Sequence, residues 1–183
     1  RLLVMWHGIP IDLSVATYLT LLPLLMIIIG IWWQSFPVKK IIRIYDVLAA
    51  LLLSVIFVGD TVLYPFWGFK LDASVLFYLK TPKEAVASVP VLMVVLGIIV
   101  ILLVGWIIYK LLSGVLKPMN EHFNKVLMRV PVTLFFVALL APLFLAVRGG
   151  LGESTMNVGH AYFSSDQFLN HSAVNPSFSL LNL

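Results

Sequence analysis

Cysteine is absent from this sequence, and charged residues are scarce. Without cysteine, the 183-residue chain has no disulfide, no thiol nucleophile and no thiolate ligand for a metal. Charged residues make up 11% of the chain, whereas a soluble domain carries about 25%. So few charges cannot cover a surface that faces water, which excludes a soluble globular enzyme. An apolar content of 61% excludes a disordered chain as well.

Long apolar runs are present instead. Mean hydropathy is +1.06, and four runs each approach the ~20 residues that a helix needs to cross ~30 Å of hydrocarbon. The predicted spans are residues 11–33, 44–65, 89–112 and 130–147. Because the runs are continuous rather than alternating, they favour helices over the strands of a barrel. The predicted fold class is an all-α integral membrane protein, a polytopic helical bundle.

Prolines and small residues inside the spans predict how the helices pack. Pro23 and Pro142 should kink their helices, and neighbouring helices can satisfy the carbonyl groups that each proline frees. Two pairs of small residues indicate close helix contact: Ala50 with Ser54, and Gly97 with Gly105.

The distribution of basic residues predicts an orientation. Seven basic residues lie in the first and third loops, against five on the opposite side. The seven are Lys39, Lys40, Arg43, Lys110, Lys117, Lys125 and Arg129. The bias places these two loops in the cytoplasm and both ends of the chain outside it. An outside start predicts one more span upstream, five in the intact protein. A net charge of +4 is usual for a membrane protein and gives no indication of nucleic-acid binding.

Residues 1–148 are predicted to form the transmembrane domain, and residues 149–183 an extracytoplasmic linker. Between spans two and three, Asp72 is expected to cap a short interfacial helix within residues 73–80. Residues 81–84, TPKE, have the pattern of a capping box for a second short helix. The linker is polar, but its phenylalanines need a partner surface, which we expect to be a downstream extracytoplasmic domain: Phe163, Phe168 and Phe178.

Several segments resemble one family. Residues 7–14, HGIPIDLS, resemble the outer stretch before the second span of lipoteichoic acid synthase-like proteins, the sulfatase-fold phosphoglycerol transferases of the alkaline phosphatase superfamily. Residues 81–84 resemble their second outer loop. The linker resembles the one that enters their catalytic domain, at residues 148–150 (RGG), 157–159 (NVG), 161–164 (AYFS) and 168–176 (FLNHSAVNP). The last stretch is the most specific.

The resemblance implies a function for the intact protein. It would be an enzyme of the bacterial cytoplasmic (inner) membrane that moves phosphoglycerol, or phosphoethanolamine in related proteins, from a phospholipid donor to an envelope polymer or glycan. A threonine nucleophile and a divalent metal such as manganese would belong to the C-terminal domain. The present chain would then hold no catalytic residue, metal ligand or cofactor, and its partners would be membrane lipids and that domain. The alternative is a stand-alone small transporter, channel or membrane assembly protein.

Five residues are candidates for lipid or linker contact: Asp12, Asp60, Arg148, Asn170 and Asn175. An ionisable residue within a span is costly and is by default a functional candidate. Each has a structural alternative: Asp12 as the cap of span one, Asp60 as an interfacial residue, and Arg148 as an anchor at the membrane edge rather than a ligand of lipid phosphate. Asp46 is expected to pair with Arg43. The spacing of His160, Asp166 and His171 matches no standard metal site.

The orientation can be tested by introducing single cysteines. Cysteines at Ser35 and Asn120 should react with an impermeant thiol reagent only after the membrane is permeabilised, since positive loops stay in the cytoplasm. A cysteine at Ser165 should react without permeabilisation. The parent chain has no cysteine and is the unreactive control. The opposite labelling pattern would contradict the orientation.

Overall fold

The computed structural model describes residues 2–78, 80, 90–115 and 126–181, and among these it contains helices and turns but no β-strand. The α-helices are α1 (Leu2–Trp32), α2 (Val38–Trp67), α3 (Val75–Tyr78), α4 (Val91–Val115), α5 (Val126–Ala138), α6 (Leu140–Arg148), α7 (Gln167–Ala173) and α8 (Pro176–Leu181). A 3-10 helix, Val158–Ala161, lies between α6 and α7. Four stretches are long and apolar enough to cross a membrane: Leu2–Trp32, Val38–Trp67, Val91–Gly114 and Met128–Arg148. The described residues therefore confirm the predicted all-α class with four stretches able to cross a membrane, and insertion into a membrane stays a prediction.

The helices extend beyond the predicted spans. The prediction began span one at residue 11, but α1 begins at Leu2 and continues through Pro10. Span two likewise begins at Val38 rather than residue 44. Charged residues and prolines made these ends look like loops. A membrane helix nevertheless accommodates both, because lysines extend beyond the apolar band and a proline removes a single hydrogen bond.

The spanning helices contact one another in the order α4, α2, α1 and α5–α6. α4 packs along α2, α2 contacts α1, and α1 contacts both α5 and α6. The described parts of α4 and α5–α6 have no comparable contact. The start of α1 and the end of α2 therefore lie at the same end of the molecule as the end of α6 and the tail, residues 149–181. We call this the tail end.

At Pro23 a neighbouring helix satisfies the freed carbonyl as predicted, and before Pro142 the helix is interrupted. Pro23 lacks the N–H that would bond to the Leu19 carbonyl one turn earlier. The Tyr45 hydroxyl of α2 donates to that same carbonyl at 2.7 Å. Pro142 likewise leaves the carbonyl of Ala138 without a helical donor, and Ala138 is where α5 ends. The fourth span is therefore two helices rather than one continuous helix.

Small residues bring α2 and α4 together at one level. A Cβ atom added at Gly105 would meet Ser54 Oγ at 3.1 Å and the Ala50 carbonyl oxygen at 3.8 Å. Ser54 is fully buried there. The predicted packing role of Ala50, Ser54 and Gly105 is confirmed, but the role assigned to Gly97 is wrong, since nothing lies within 4 Å of a Cβ added there.

The loop after α2 contains the expected short helix. Asp72 Oδ1 accepts a hydrogen bond from the Ser74 amide at 2.9 Å and so precedes α3 as a turn-forming residue. Four-residue α3 is too short to span, while its placement in the membrane interface stays a prediction. The capping box expected at residues 81–84 and most of the loop around Asn120 lie outside the described residues.

Gly105 and Gly97 offer a matched pair for testing the α2–α4 contact. Gly105→Val should lower the free energy of unfolding by about 1–3 kcal/mol, because the new side chain overpacks against Ser54. Gly97→Val makes the same change of helix propensity in open space and should cost little. Thermal unfolding of both variants in nanodiscs measures the difference. Equal losses would contradict the proposed contact.

Candidate functional site

The tail folds against the tail end rather than extending away from it. Its buried core joins Ile11 of α1 to Ala161, Ala173 and Val174, and Phe163 and Phe178 are partly buried against this core. The Phe163 ring stacks on His7 with centroids 4.5 Å apart. Two of the three tail phenylalanines thus find their partner surface on α1, within the chain itself. Phe168 meets Tyr64 edge-on but stays 60% exposed.

Gly8 permits the closest approach between α1 and the tail. A Cβ atom at this position would lie 2.9 Å from the Ala173 carbonyl oxygen, nearer than a side chain and a backbone oxygen can come. Nearly two turns further along α1, fully buried Ser14 donates from Oγ to the Val147 carbonyl at 3.3 Å. That carbonyl belongs to the last turn of α6, where helical donors are lacking. Gly8 and Ser14 therefore hold the tail and α6, respectively, against the same helix.

An open cavity of about 350 Å³ lies between α1, α2 and the tail. Its polar lining includes Asp12, Asp60, Thr61, Lys70 and Asn175. Three of the five candidate contact residues therefore come together, although they belong to three separate segments of the chain. We call this cavity the tail-end cleft.

Asp12 contacts the tail and does not cap a helix, which corrects the structural alternative for this residue. It lies more than two turns inside α1, and its Oδ1 accepts a hydrogen bond from Asn175 Nδ2 at 2.7 Å. Asn175 Oδ1 also accepts a hydrogen bond from the Ser177 amide at 2.9 Å, in the first turn of α8. The side chain of Asp12 remains exposed to the cleft.

Asp60 organises the loop after α2. It is 6% exposed and accepts from Lys70 Nζ at 2.5 Å and from the Leu71 amide at 2.9 Å. A buried carboxylate is stable here because a cation and a backbone N–H both compensate its desolvation. Asp60 thus forms an ion pair with Lys70, and this pair brings Lys70 into the cleft.

The other two candidates lie outside the cleft lining. Asn170 is an internal brace of the tail: its Oδ1 accepts from the Phe163 and Ser164 amides, each at 2.9 Å, and its Nδ2 donates to the Ser164 carbonyl at 2.7 Å. Arg148 ends α6 and donates from Nη2 to the Gly152 carbonyl at 3.1 Å. Both therefore shape the linker rather than contact the cleft.

The expected Asp46–Arg43 pair is not formed. Asp46 is buried within α2, and in the described part of the chain the ion pair found is Asp60 with Lys70. Asp46 points to the same packed face as Ala49, Ala50 and Leu53, whereas a pair with Arg43 requires an exposed one.

The described residues also contain no cluster of three or more metal-ligating side chains.

His171 connects the tail to the end of α2. It is 7% exposed, its Nδ1 lies 3.1 Å from the Tyr64 hydroxyl, and the Gln167 amide lies 3.4 Å from its Nε2. Burial lowers the pKa of His171 below its ordinary value of 6.5, and the Lys70 charge lowers it further, while the Asp60 carboxylate acts in the opposite direction. The docked tail therefore favours a neutral imidazole.

Comparisons with known proteins identify no relative. No protein-family model, curated protein or solved structure matches this chain. The resemblance to lipoteichoic acid synthase-like proteins therefore stays a prediction that rests on the motifs quoted above.

The lowered pKa of His171 predicts that docking of the tail depends on pH. In a released tail the imidazole has a pKa near 6.5, so protons favour the released form. Docking should be at full strength above pH 6.5 and should weaken as pH falls below it. Hydrogen exchange of the tail amides at pH 8 and pH 5, each corrected for intrinsic exchange, measures this.

Two variants separate His171 from other titrating groups. His171→Gln should abolish the change between the two pH values, since no imidazole remains to be protonated. His160→Gln changes a histidine of the same tail whose imidazole contacts Asn157, and this variant should retain the change. Equal pH dependence in wild type and His171→Gln would contradict the assignment.

Proposed function

We propose that this chain is the membrane-anchoring domain of a bacterial envelope transferase that moves phosphoglycerol or phosphoethanolamine from a phospholipid. One observation carries the proposal. Two of the segments that carry the resemblance, residues 7–14 and 168–176, contact each other through Gly8 with Ala173 and Asp12 with Asn175. Motif residues that meet across 163 positions of sequence have a common structural role.

Docking of the tail gives that role a physical meaning. A phospholipid keeps its scissile phosphate close to the headgroup plane, so a catalytic domain on a flexible tether reaches it only part of the time. A tail fixed to α1 and α2 shortens this search by holding the two reactants in register. The tail also differs from a freely solvated linker, since its aromatic and asparagine side chains are used in contacts.

The alternative of a channel or transporter receives no support from the described helices. Ser54, the polar residue at the middle of α2, donates to the Leu51 carbonyl at 2.8 Å and is closed over by α4 at Gly105. An ion pathway requires polar groups that face one another at mid-membrane. Ser54 instead serves the packing of α2 against α4.

The proposal can be tested with the full-length protein in liposomes. Wild type should transfer a labelled headgroup from phosphatidylglycerol or phosphatidylethanolamine. Gly8→Leu should reduce that transfer by about 100-fold, because a displaced tail misplaces the reacting groups by an ångström or more. Hydrolysis of a soluble phosphodiester should be largely retained, since it needs no membrane register.

Gly97→Leu is the matched control, since its added side chain enters open space on α4. Asn175→Ala is a milder change at the same docking contact and should give an intermediate loss. Absence of headgroup transfer by wild type from either lipid would reject the transferase. Unchanged transfer in Gly8→Leu would show that the tail acts only as a tether.

A further inference from the structure

The tail-end cleft carries a formal charge imbalance. Two carboxylates and one lysine line it, and the lysine is paired with one of the carboxylates, Lys70 with Asp60. Asp12 is bonded to the neutral amide of Asn175, and no cation of the described residues reaches it. A carboxylate exposed within a membrane-spanning helix is costly unless a positive group compensates it. Among the described residues, the cleft therefore lacks one positive charge beside Asp12.

We infer that the tail-end cleft binds the headgroup of a phospholipid with a primary ammonium, the ammonium at Asp12 and the phosphate at Lys70. This inference deepens the proposed function, on which it rests for the view that a donor lipid approaches the tail end. It selects the aminoethyl headgroup over glycerol, because glycerol brings no charge to compensate Asp12.

Lys70 can accept the phosphate while it remains paired with Asp60. An ammonium group has three N–H donors, and the structure uses one of them for Asp60 Oδ2. The remaining donors can form charge-assisted bonds to a phosphate oxygen. A zwitterionic headgroup thus finds an opposite charge for each of its own charges and adds no net charge to the cleft, whereas an anionic headgroup would add a negative one.

The lining favours a primary over a quaternary ammonium. Choline is usually held by several aromatic faces, whereas Phe57 is the one aromatic side chain among the described residues that line this cleft. A primary ammonium instead needs oxygen acceptors, and Asp12 and Thr61 offer them. The Thr61 hydroxyl donates to the Phe57 carbonyl at 2.8 Å, which leaves its own lone pairs available.

A lipid suits the cleft better than a soluble zwitterion of the same chemistry. Val4, Met5 and Phe57 give the cleft an apolar side, and it lies between two helices that are long and apolar enough to span a membrane. Contact with this apolar side would add favourable burial for the glycerol and acyl part of a lipid, which a free headgroup lacks.

The test measures binding without turnover. The delipidated full-length protein is titrated with phosphatidylethanolamine, phosphatidylcholine and phosphatidylglycerol, and bound lipid is counted by native mass spectrometry. Phosphatidylethanolamine should bind most tightly. Asp12→Asn should weaken its binding by about tenfold, the loss expected for one charged hydrogen bond, and should leave phosphatidylglycerol binding unchanged. An asparagine oxygen can still accept from Asn175, so this variant keeps the tail contact.

Glu153→Gln removes the same charge from an exposed position in the tail and should bind like wild type. Equal affinity for the three lipids, or an unaffected Asp12→Asn variant, would overturn the inference. So would displacement of the lipid by soluble phosphoethanolamine at an equal concentration, because the site would then take a soluble ligand. Binding is measured in the absence of an acceptor, so a failed binding test and a missing transferase activity remain distinguishable.

Discussion

The close approach of α1 to the tail at Gly8 is the constraint on which the tail end depends. Because no Cβ atom separates Gly8 from the Ala173 carbonyl, α7 lies directly on the first turns of α1. At that distance Asn175 bonds to Asp12, and His171 lies within 3.1 Å of Tyr64 on α2. The absence of a Cβ atom at Gly8 therefore fixes α1, α2 and the tail relative to one another. Hydrophobic burial alone would not specify this geometry.

Within the spans, hydrogen-bonding groups freed by irregularities are satisfied by neighbouring helices. The Tyr45 hydroxyl takes the carbonyl released by Pro23, and Ser14 takes a carbonyl at the end of α6. In a lipid bilayer no water would be present to bond to these groups, so each such contact would also select a helix partner. The order of helix contacts thus follows partly from where carbonyl groups need donors, in addition to the small residues between α2 and α4.

The fold could be predicted from the sequence to the extent that it depends on local properties. Run length and hydropathy predict four spans. Pro23 predicts that a neighbouring helix supplies a donor to the carbonyl that it frees, which is that of Leu19. The cleft did not follow, because its contacts are not local: Asp60 meets Lys70 across the turn at Gly68, and Asp12 meets Asn175 across nearly the whole chain. An aspartate near a helix end with a lysine after the turn is nevertheless a usable signal for such an ion pair. His171 gave no signal, since its role depends on burial.

The cleft and the docked tail are energetically linked because they share residues. Ala173 and Asn175 form one wall of the cleft and at the same time make the contacts that hold the tail on α1. A released tail would remove that wall, so any ligand that uses it binds the docked form more tightly. By reciprocity the ligand then stabilises docking by the same free energy. Protonation of His171 acts on the same equilibrium in the opposite direction, since the docked tail holds a neutral imidazole. Occupancy of the cleft and protonation of His171 thus act on the same equilibrium, between a docked and a released tail. They do so although His171 is not among the residues that line the cleft.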